Sequence, residues 1–286
     1  MISGVVLVAK PAGPTSHDVV DIARRALGER RVGHLGTLDP FAQGLLVLVV
    51  GRATRLAAYA GDWEKRYTGV MRLGATTDTD DGTGTVTQAS EGWRALDAGA
   101  VGGAFARFAG GYEQTPPAYS AVKVDGERAY RRARRGEAPA AKARLVEVRE
   151  LVLDQWTPPD ARFHATVSAG TYLRSLARDV GAALGCGGHL VALERTVVGP
   201  FALADAVAPE AVSAAAVRDV ATLVGDLARR DLAAPERAAV AHGRPIPAGS
   251  EEQGAGTVAL FAEGMLLAVA EREGDVLKPR VVLVDE

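Results

Sequence analysis

Residues 31–56 read RVGHLGTLDPFAQGLLVLVVGRATRL. The second half, Leu45 to Val50, is a continuous apolar run, far too short to span a bilayer and consistent with a buried strand. Ahead of it, His34, Gly33, Gly36 and Asp39 crowd a glycine-rich loop. From these residues alone Asp39-Pro40 has two readings. It is a helix N-cap with proline at the first helical position, or a lone carboxylate presented by a shaped loop for chemistry.

Residues 4–9 (GVVLVA) predict a strand, ended by Lys10-Pro11-Ala12-Gly13-Pro14. Thr15 and Ser16 are cap residues for a helix running to Leu27, with Gly28 as its stop. Residues 66–73 alternate as a strand does, and the turn-rich TTDTDDGTG leads to a further strand near 85–88. A helix is expected at 100–109, a break at Pro116-Pro117, and a short basic helix at 127–135. Strands are expected at 144–153 and 162–167, and a helix at 172–184. Strands grouped between helices, without a regular βαβ rhythm, predict an α+β architecture around a sheet.

Beyond these elements, the alanine-rich segment 209–230 predicts helix, and another helix should end at Gly243. Apolar runs at 257–262, 265–270 and 280–284, with a tight turn at Glu263-Gly264, predict a small β-rich second domain from about residue 227. The expected division is therefore 1–226 and 227–286.

With 48% hydrophobic and 24% charged residues, the 286-residue chain has an ordinary globular composition and ample length for a buried core. The opening MISGVVLVAK has no basic stretch before its short apolar run, so a cytoplasmic protein without a membrane span is expected. The single Cys186 excludes an internal disulfide framework and a multi-cysteine metal site. Asp78, Asp80 and Asp81 suggest a calcium loop, but Gly82 and Ala89 occupy the fifth and twelfth positions where ligands are required. Cys186 and His189 form one isolated pair without a second. No metal is expected.

The net charge of −2 carries no global basic footprint. It is unevenly spread: residues 1–200 hold 25 Lys and Arg against 21 Asp and Glu, whereas 201–286 hold 8 against 14. Arg128, Arg131, Arg132, Arg134, Arg135, Lys142, Arg144 and Arg149 face only Glu137 and Glu147 within the stretch 128–149. Such a patch suits phosphates or a solvated helix face.

Several separated motifs, in order through residues 4–201, resemble the tRNA pseudouridine synthase B family, bacterial enzymes that modify the T-loop uridine conventionally numbered 55. Lys10-Pro11, Gly13 and Thr15-Ser16 resemble its amino-terminal motif, and Gly33 to Pro40 followed by Ala42, Gly44-Leu45-Leu46 and Gly51 its catalytic motif. Lys65-Arg66-Tyr67, then Leu73-Gly74 with Thr77-Asp78-Thr79 and Asp81, follow. Pro116-Pro117, Tyr119-Ser120-Ala121, Lys123, Gly126 and Tyr130 match next, then Gly170 to Arg174. Gly188-His189-Leu190, Leu193, Arg195-Thr196 and Gly199 complete the series. Ala9, where relatives often carry Asp, and Glu194, where Arg is common, depart from the pattern.

The resemblance implies a catalytic domain on a mixed, mainly antiparallel sheet with flanking helices, plus a small β-rich PUA-like RNA-binding domain at the carboxy terminus. It implies an isomerase that flips its target base and needs no cofactor. Asp39 would be the catalytic carboxylate, either attacking the sugar or taking its C2′ proton, with Arg174 beside it. Tyr67 would stack on the base, Tyr172 would lie at the uracil edge and Leu193 would pack beneath. His34 would fill the gap left in the RNA stack, and Lys10 would support the site. Residues 126–149, with Arg128, Arg131 and Arg132, resemble an insertion that grips the tRNA T arm. A monomer working without an obligatory protein partner is expected.

Overall fold

The computed structural model describes residues 2–120, 122–124, 126–137, 141–249 and 256–283. In chain order, β1 (Gly4–Lys10), α1 (Ser16–Leu27), β2 (Val32–His34) and β3 (Gln43–Val50) come first. Then follow β4 (Lys65–Leu73), β5 (Ala75–Thr77), β6 (Val86–Ala89), α2 (Ala98–Phe108) and β7 (Gly110–Gln114). A small arm carries β8 (Lys123–Val124), β9 (Glu127–Arg128) and α3 (Ala129–Arg134). After it come β10 (Arg144–Thr157), β11 (Asp160–Val167), α4 (Leu173–Ala183), β12 (Gly188–Val198) and β13 (Phe201–Ala202). The last elements are β14 (Ala228–Asp231), α5 (Ala234–Ala241), β15 (Ile246–Pro247), β16 (Thr257–Ala262), β17 (Met265–Glu273) and β18 (Val276–Val282).

Among the described residues, nine strands form one sheet in the order β1-β3-β12-β4-β11-β10-β7, with β2 added to β3 and β13 to β12. Every pairing is antiparallel except β3 with β12, where Glu194 faces Gln43 and Arg195 faces Gly44. The sheet is thus mixed and mainly antiparallel, as the resemblance implies.

The unbroken apolar run of β3 follows from cover on both faces. Leu46, Leu48 and Val50 join Val6 and Val8 of β1 and Val19, Val20 and Ala23 of α1 in one core. Leu45, Val47 and Val49 point the other way, into a second core with Leu56, Leu223, Phe261 and Val269. By contrast β4 buries Tyr67, Gly69, Met71 and Leu73 while Arg66, Thr68 and Arg72 stay exposed, the alternation of a strand with one solvated face. Helix α1 begins with a capping box: Thr15 Oγ1 accepts from the Asp18 amide at 3.1 Å, and Asp18 Oδ2 accepts from the Thr15 amide at 2.7 Å. It ends at Gly28, whose φ of 62° is left-handed.

The expected helix at 209–230 does not form. Three short 3₁₀ segments and the start of β14 occupy it. The segment runs back along edge strand β1: Val5 and Arg218 exchange amide-to-carbonyl hydrogen bonds of 3.0 and 2.8 Å, while Val207 donates to Leu7 and accepts from Ala9. Satisfying the exposed edge of β1 outweighs the alanine propensity for helix, because an unpaired sheet edge leaves several polar groups to solvate or cover. Asp39 is likewise no helix cap. Pro40 and Phe41 form only a turn, closed by the Ala42 amide on the Asp39 carbonyl at 3.1 Å, before β3 begins.

The second sheet, β14-β16-β17-β18-β15, lies in the carboxy-terminal part. Glu263 and Gly264, with φ of 52° and 78°, make the tight turn between β16 and β17. The third strand starts at Val276 rather than Arg280, and Val284 lies outside the described residues. One side of this sheet (Val258, Leu260, Ala268, Ala270) packs under α5 with Val240. The other side (Ala259, Phe261, Leu266, Val269) joins the core behind β1 and β3. No helix among the described residues is long and apolar enough to cross a membrane.

Candidate active site

A cavity of about 440 Å³ opens where the β2–β3 loop meets the start of α4. Asp39, Tyr67, Tyr172, Arg174, His34 and Leu193 all line it, so six of the ten residues singled out in the sequence come together. Asp39 and Arg174, 135 positions apart, face each other in a bidentate pair. Arg174 Nε donates to Asp39 Oδ2 at 2.8 Å and Nη2 to Oδ1 at 3.0 Å. The Asp39 side chain keeps 33% of its surface exposed, toward the cavity, whereas Arg174 keeps 4%.

Arg174 is held on its far side as well. Its Nη1 donates to the Thr79 carbonyl and its Nη2 to the Tyr119 carbonyl, both at 2.9 Å, and Asp81 Oδ2 lies 3.8 Å from Nη1. Asp81 is itself fixed, with Oδ1 accepting from the Thr83 amide and hydroxyl and from the Thr79 hydroxyl. The three aspartates that resemble a calcium loop therefore have other partners: Asp78 holds the Thr85 amide and Asp80 the Arg178 guanidinium. Among the described residues, no group of three or more His, Cys, Asp and Glu side chains is arranged to hold a metal ion.

The loop carrying Asp39 is shaped by three buried polar side chains. Ser16 Oγ accepts from the Leu38 amide at 2.8 Å and donates to the Leu38 carbonyl at 3.0 Å. Lys10, 1% exposed, donates to the carbonyls of Pro11, Pro14 and Pro40. It sits beneath the loop and outside the cavity lining. Arg195 donates to the carbonyls of Leu45 and Gly36 at 2.8 and 3.0 Å. Gly44 lets β3 and β12 approach: a Cβ there would lie 2.4 Å from the Arg195 carbonyl oxygen, and its φ is 104°.

Burial pushes the Asp39 carboxyl up from the ordinary aspartate range, and Asp81 adds to the rise; the Arg174 charge, its hydrogen bonds and Lys10 pull the other way. Lys10 is lowered to about 8, chiefly by burial and further by Arg195, with Asp39 opposing. Burial, helped by Arg195, also lowers His34 and so favours its neutral ring. Among the described residues, two buried polar atoms on the cavity wall, His34 Nδ1 and Ser120 Oγ, have no hydrogen-bond partner. A polar ligand would satisfy them.

Tyr67 enters from β4 and Leu193 from β12, each 8% exposed. Tyr172 directly precedes α4, and the Arg144 guanidinium lies 5.0 Å from its ring centre. The basic arm is separate from the cavity lining. Arg131 is exposed on α3, Arg132 donates to Glu137 at 2.8 Å, and the Arg128 side chain lies outside the described residues. Glu194 projects from the opposite face of β12 to Leu193 and Arg195 and accepts from Gln43 at 3.0 Å. Ala9 is backbone-paired with Leu45. Sequence reasoning assigned no role to Ser120, Asp81 or Arg195. The available signal for the last was its place among the motif positions Leu193, Arg195-Thr196 and Gly199.

A paired carboxylate thus faces a cavity walled by two tyrosines, a leucine and a histidine. The family model for the N-terminal domain of TruB family pseudouridylate synthases matches residues 24–173, and that for the tRNA pseudouridylate synthase B C-terminal domain matches residues 174–233. The chain belongs to the TruB family of pseudouridylate synthases, which are isomerases. It is 46% identical to tRNA pseudouridine synthase B of Thermobifida fusca (strain YX), covering 99% of both chains. It is 44% identical to that of Streptomyces coelicolor, covering 94% of this chain and 93% of the relative. In fold it is similar to a chain of an H/ACA RNP bound to a substrate RNA containing 2′-deoxyuridine, with a TM-score of 0.73 at 23% identity over 99% of this chain and 85% of that one. A chain of the archaeal box H/ACA sRNP Nop10-Cbf5 complex gives 0.72 at 24% identity, over 98% and 85%.

Proposed function

We propose that this protein converts the tRNA T-loop uridine conventionally numbered 55 to pseudouridine, acting in the cytoplasm as a single chain without cofactor. The observation that carries the reading is the Asp39–Arg174 pair facing the tyrosine-walled cavity. The tRNA substrate is supported by the names of relatives that match nearly the whole chain.

The reaction breaks the N1–C1′ bond, turns the uracil without releasing it, and joins C5 to C1′, after which the C5 proton leaves to solvent and N1 takes one up. Asp39 acts as the ionised carboxylate, whether by attack on the sugar or by removal of the C2′ proton. Arg174 orients it and favours its charged form against the effect of burial. Flipping the uridine out of its stack costs a few kcal/mol, and stacking on Tyr67 returns about 1 to 3 kcal/mol of it. Tyr172 meets the uracil edge with Leu193 beneath, and neutral His34 wedges into the vacated stack without carrying charge into it.

Arg128, Arg131 and Arg132 on the arm contact T-arm phosphates. Residues 227–286 act as a PUA-like RNA-binding domain through shape rather than charge. Arg229, Arg230, Arg237, Lys278 and Arg280 there each pair with an acidic side chain. Tritium release from a tRNA transcript labelled at uridine C5 tests the reading. Release is expected from the wild-type transcript and is expected to vanish when the T-loop uridine is replaced by cytidine. Release that persists after that replacement contradicts the assigned site.

A further inference from the structure

Gln114 ends β7, is wholly buried, and takes no part in the chemistry described above. Its side-chain amide is aimed at the main chain of Tyr172, 58 positions away. Gln114 Oε1 accepts from the Tyr172 amide at 2.8 Å, and Nε2 donates to the Tyr172 carbonyl at 3.1 Å and to the Tyr112 hydroxyl. The same Tyr172 carbonyl accepts the Leu176 amide at 3.0 Å, the first bond of α4. Tyr172 thus occupies the N-cap position of α4 with no side-chain cap of its own, and Gln114 supplies the grip from a neighbouring strand. Both hydrogens of its amide and one acceptor site are used, so neither a carboxylate nor an apolar residue of the same size reproduces the set.

The next residues extend this lacing. The Thr115 carbonyl accepts from Ser175 Oγ and Arg178 Nη2, both at 2.9 Å. The ring held by this main-chain clamp lines the cavity that Asp39 faces. We propose that Gln114 is a positioning residue for the isomerisation, fixing the Tyr172 backbone so that its ring meets the uracil edge. The proposal rests on the reading of the cavity as the active site.

Single-turnover tritium release with C5-labelled tRNA tests it, alongside tRNA affinity measured by filter binding. Gln114→Leu is expected to slow turnover by about 10- to 100-fold, the scale set by a small misplacement of a reacting group, while tRNA affinity changes by less than about 3-fold. In the Tyr172→Ala background the same substitution should cost less than about 3-fold, since the ring it orients is gone. Gln114→Glu gives a second readout that does not depend on the first variant folding. Its ionised carboxylate faces the Tyr172 carbonyl, whereas its protonated form restores one donor and one acceptor. The ratio of its rate to the wild-type rate should therefore climb as pH is lowered from about 8 to about 6. A pH-independent ratio, or an equal cost of Gln114→Leu with and without the Tyr172 ring, overturns the proposal. Failure of the active-site reading would show separately, as release by wild type that Asp39→Asn leaves unchanged.

Discussion

Asp39 sits under opposing influences: burial and Asp81 raise its carboxyl, while Arg174 and Lys10 favour its charged form. With the ionised carboxylate as the proposed active form, activity is expected to be full above its raised pKa and to be lost as pH falls through it. The acidic limb of the rate–pH profile should accordingly lie above the ordinary aspartate value of about 3.9. Arg174→Gln removes the opposing charge and should move that limb to still higher pH; an unmoved limb contradicts the pairing. Arg174→Lys keeps the charge but cannot form the fork seen at 2.8 and 3.0 Å, and should lower kcat by about 10²-fold or more. At this scale the residues around Asp39 left it between a helix cap and a catalytic carboxylate, and only the ordered series of separated motifs pointed to the second. Gln114 left no comparable mark. Its partner is 58 positions away, and nothing local to QTPP distinguishes a clamping glutamine from a solvated one.

Between elements, the site depends on how closely β3 and β12 approach. Gly44→Ala would set a Cβ 2.4 Å from the Arg195 carbonyl oxygen at a left-handed φ of 104°, displacing the strand pair that carries the Asp39 loop. A loss of about 2 kcal/mol or more is expected, read as a lower Tm by roughly 2–4 °C per kcal/mol, together with reduced turnover. An unchanged Tm contradicts the close approach. Strands and helices with a clean period were legible: β4 alternates, α1 has its caps, and the run 45–50 was a strand because both its faces are covered. The segment 209–230 was not. Its composition favours helix, but its conformation is decided by hydrogen bonds to β1, which lies some two hundred positions earlier and leaves no trace in local periodicity.

Across the whole molecule, exposed Arg131 on the basic arm contrasts with Arg229, Arg230, Lys278 and Arg280 of the carboxy-terminal sheet, each of which pairs with an acidic side chain. Arg131 is exposed on the arm, and Arg131→Ala should weaken tRNA binding uniformly across sequences while reducing the salt slope of binding by about 1. Lys278→Gln, which removes a cation 3.5 Å from Glu273, should leave that slope unchanged. Equal effects from the two sites would contradict the contrast. In the proposed function one carboxylate, aligned by Arg174 in the tyrosine-walled cavity, carries the isomerisation. The decisive measurement is tritium release from C5-labelled tRNA by Asp39→Asn, with tRNA binding followed in the same samples. Wild-type binding with no release above background is expected; release at a rate comparable to wild type overturns the role of Asp39.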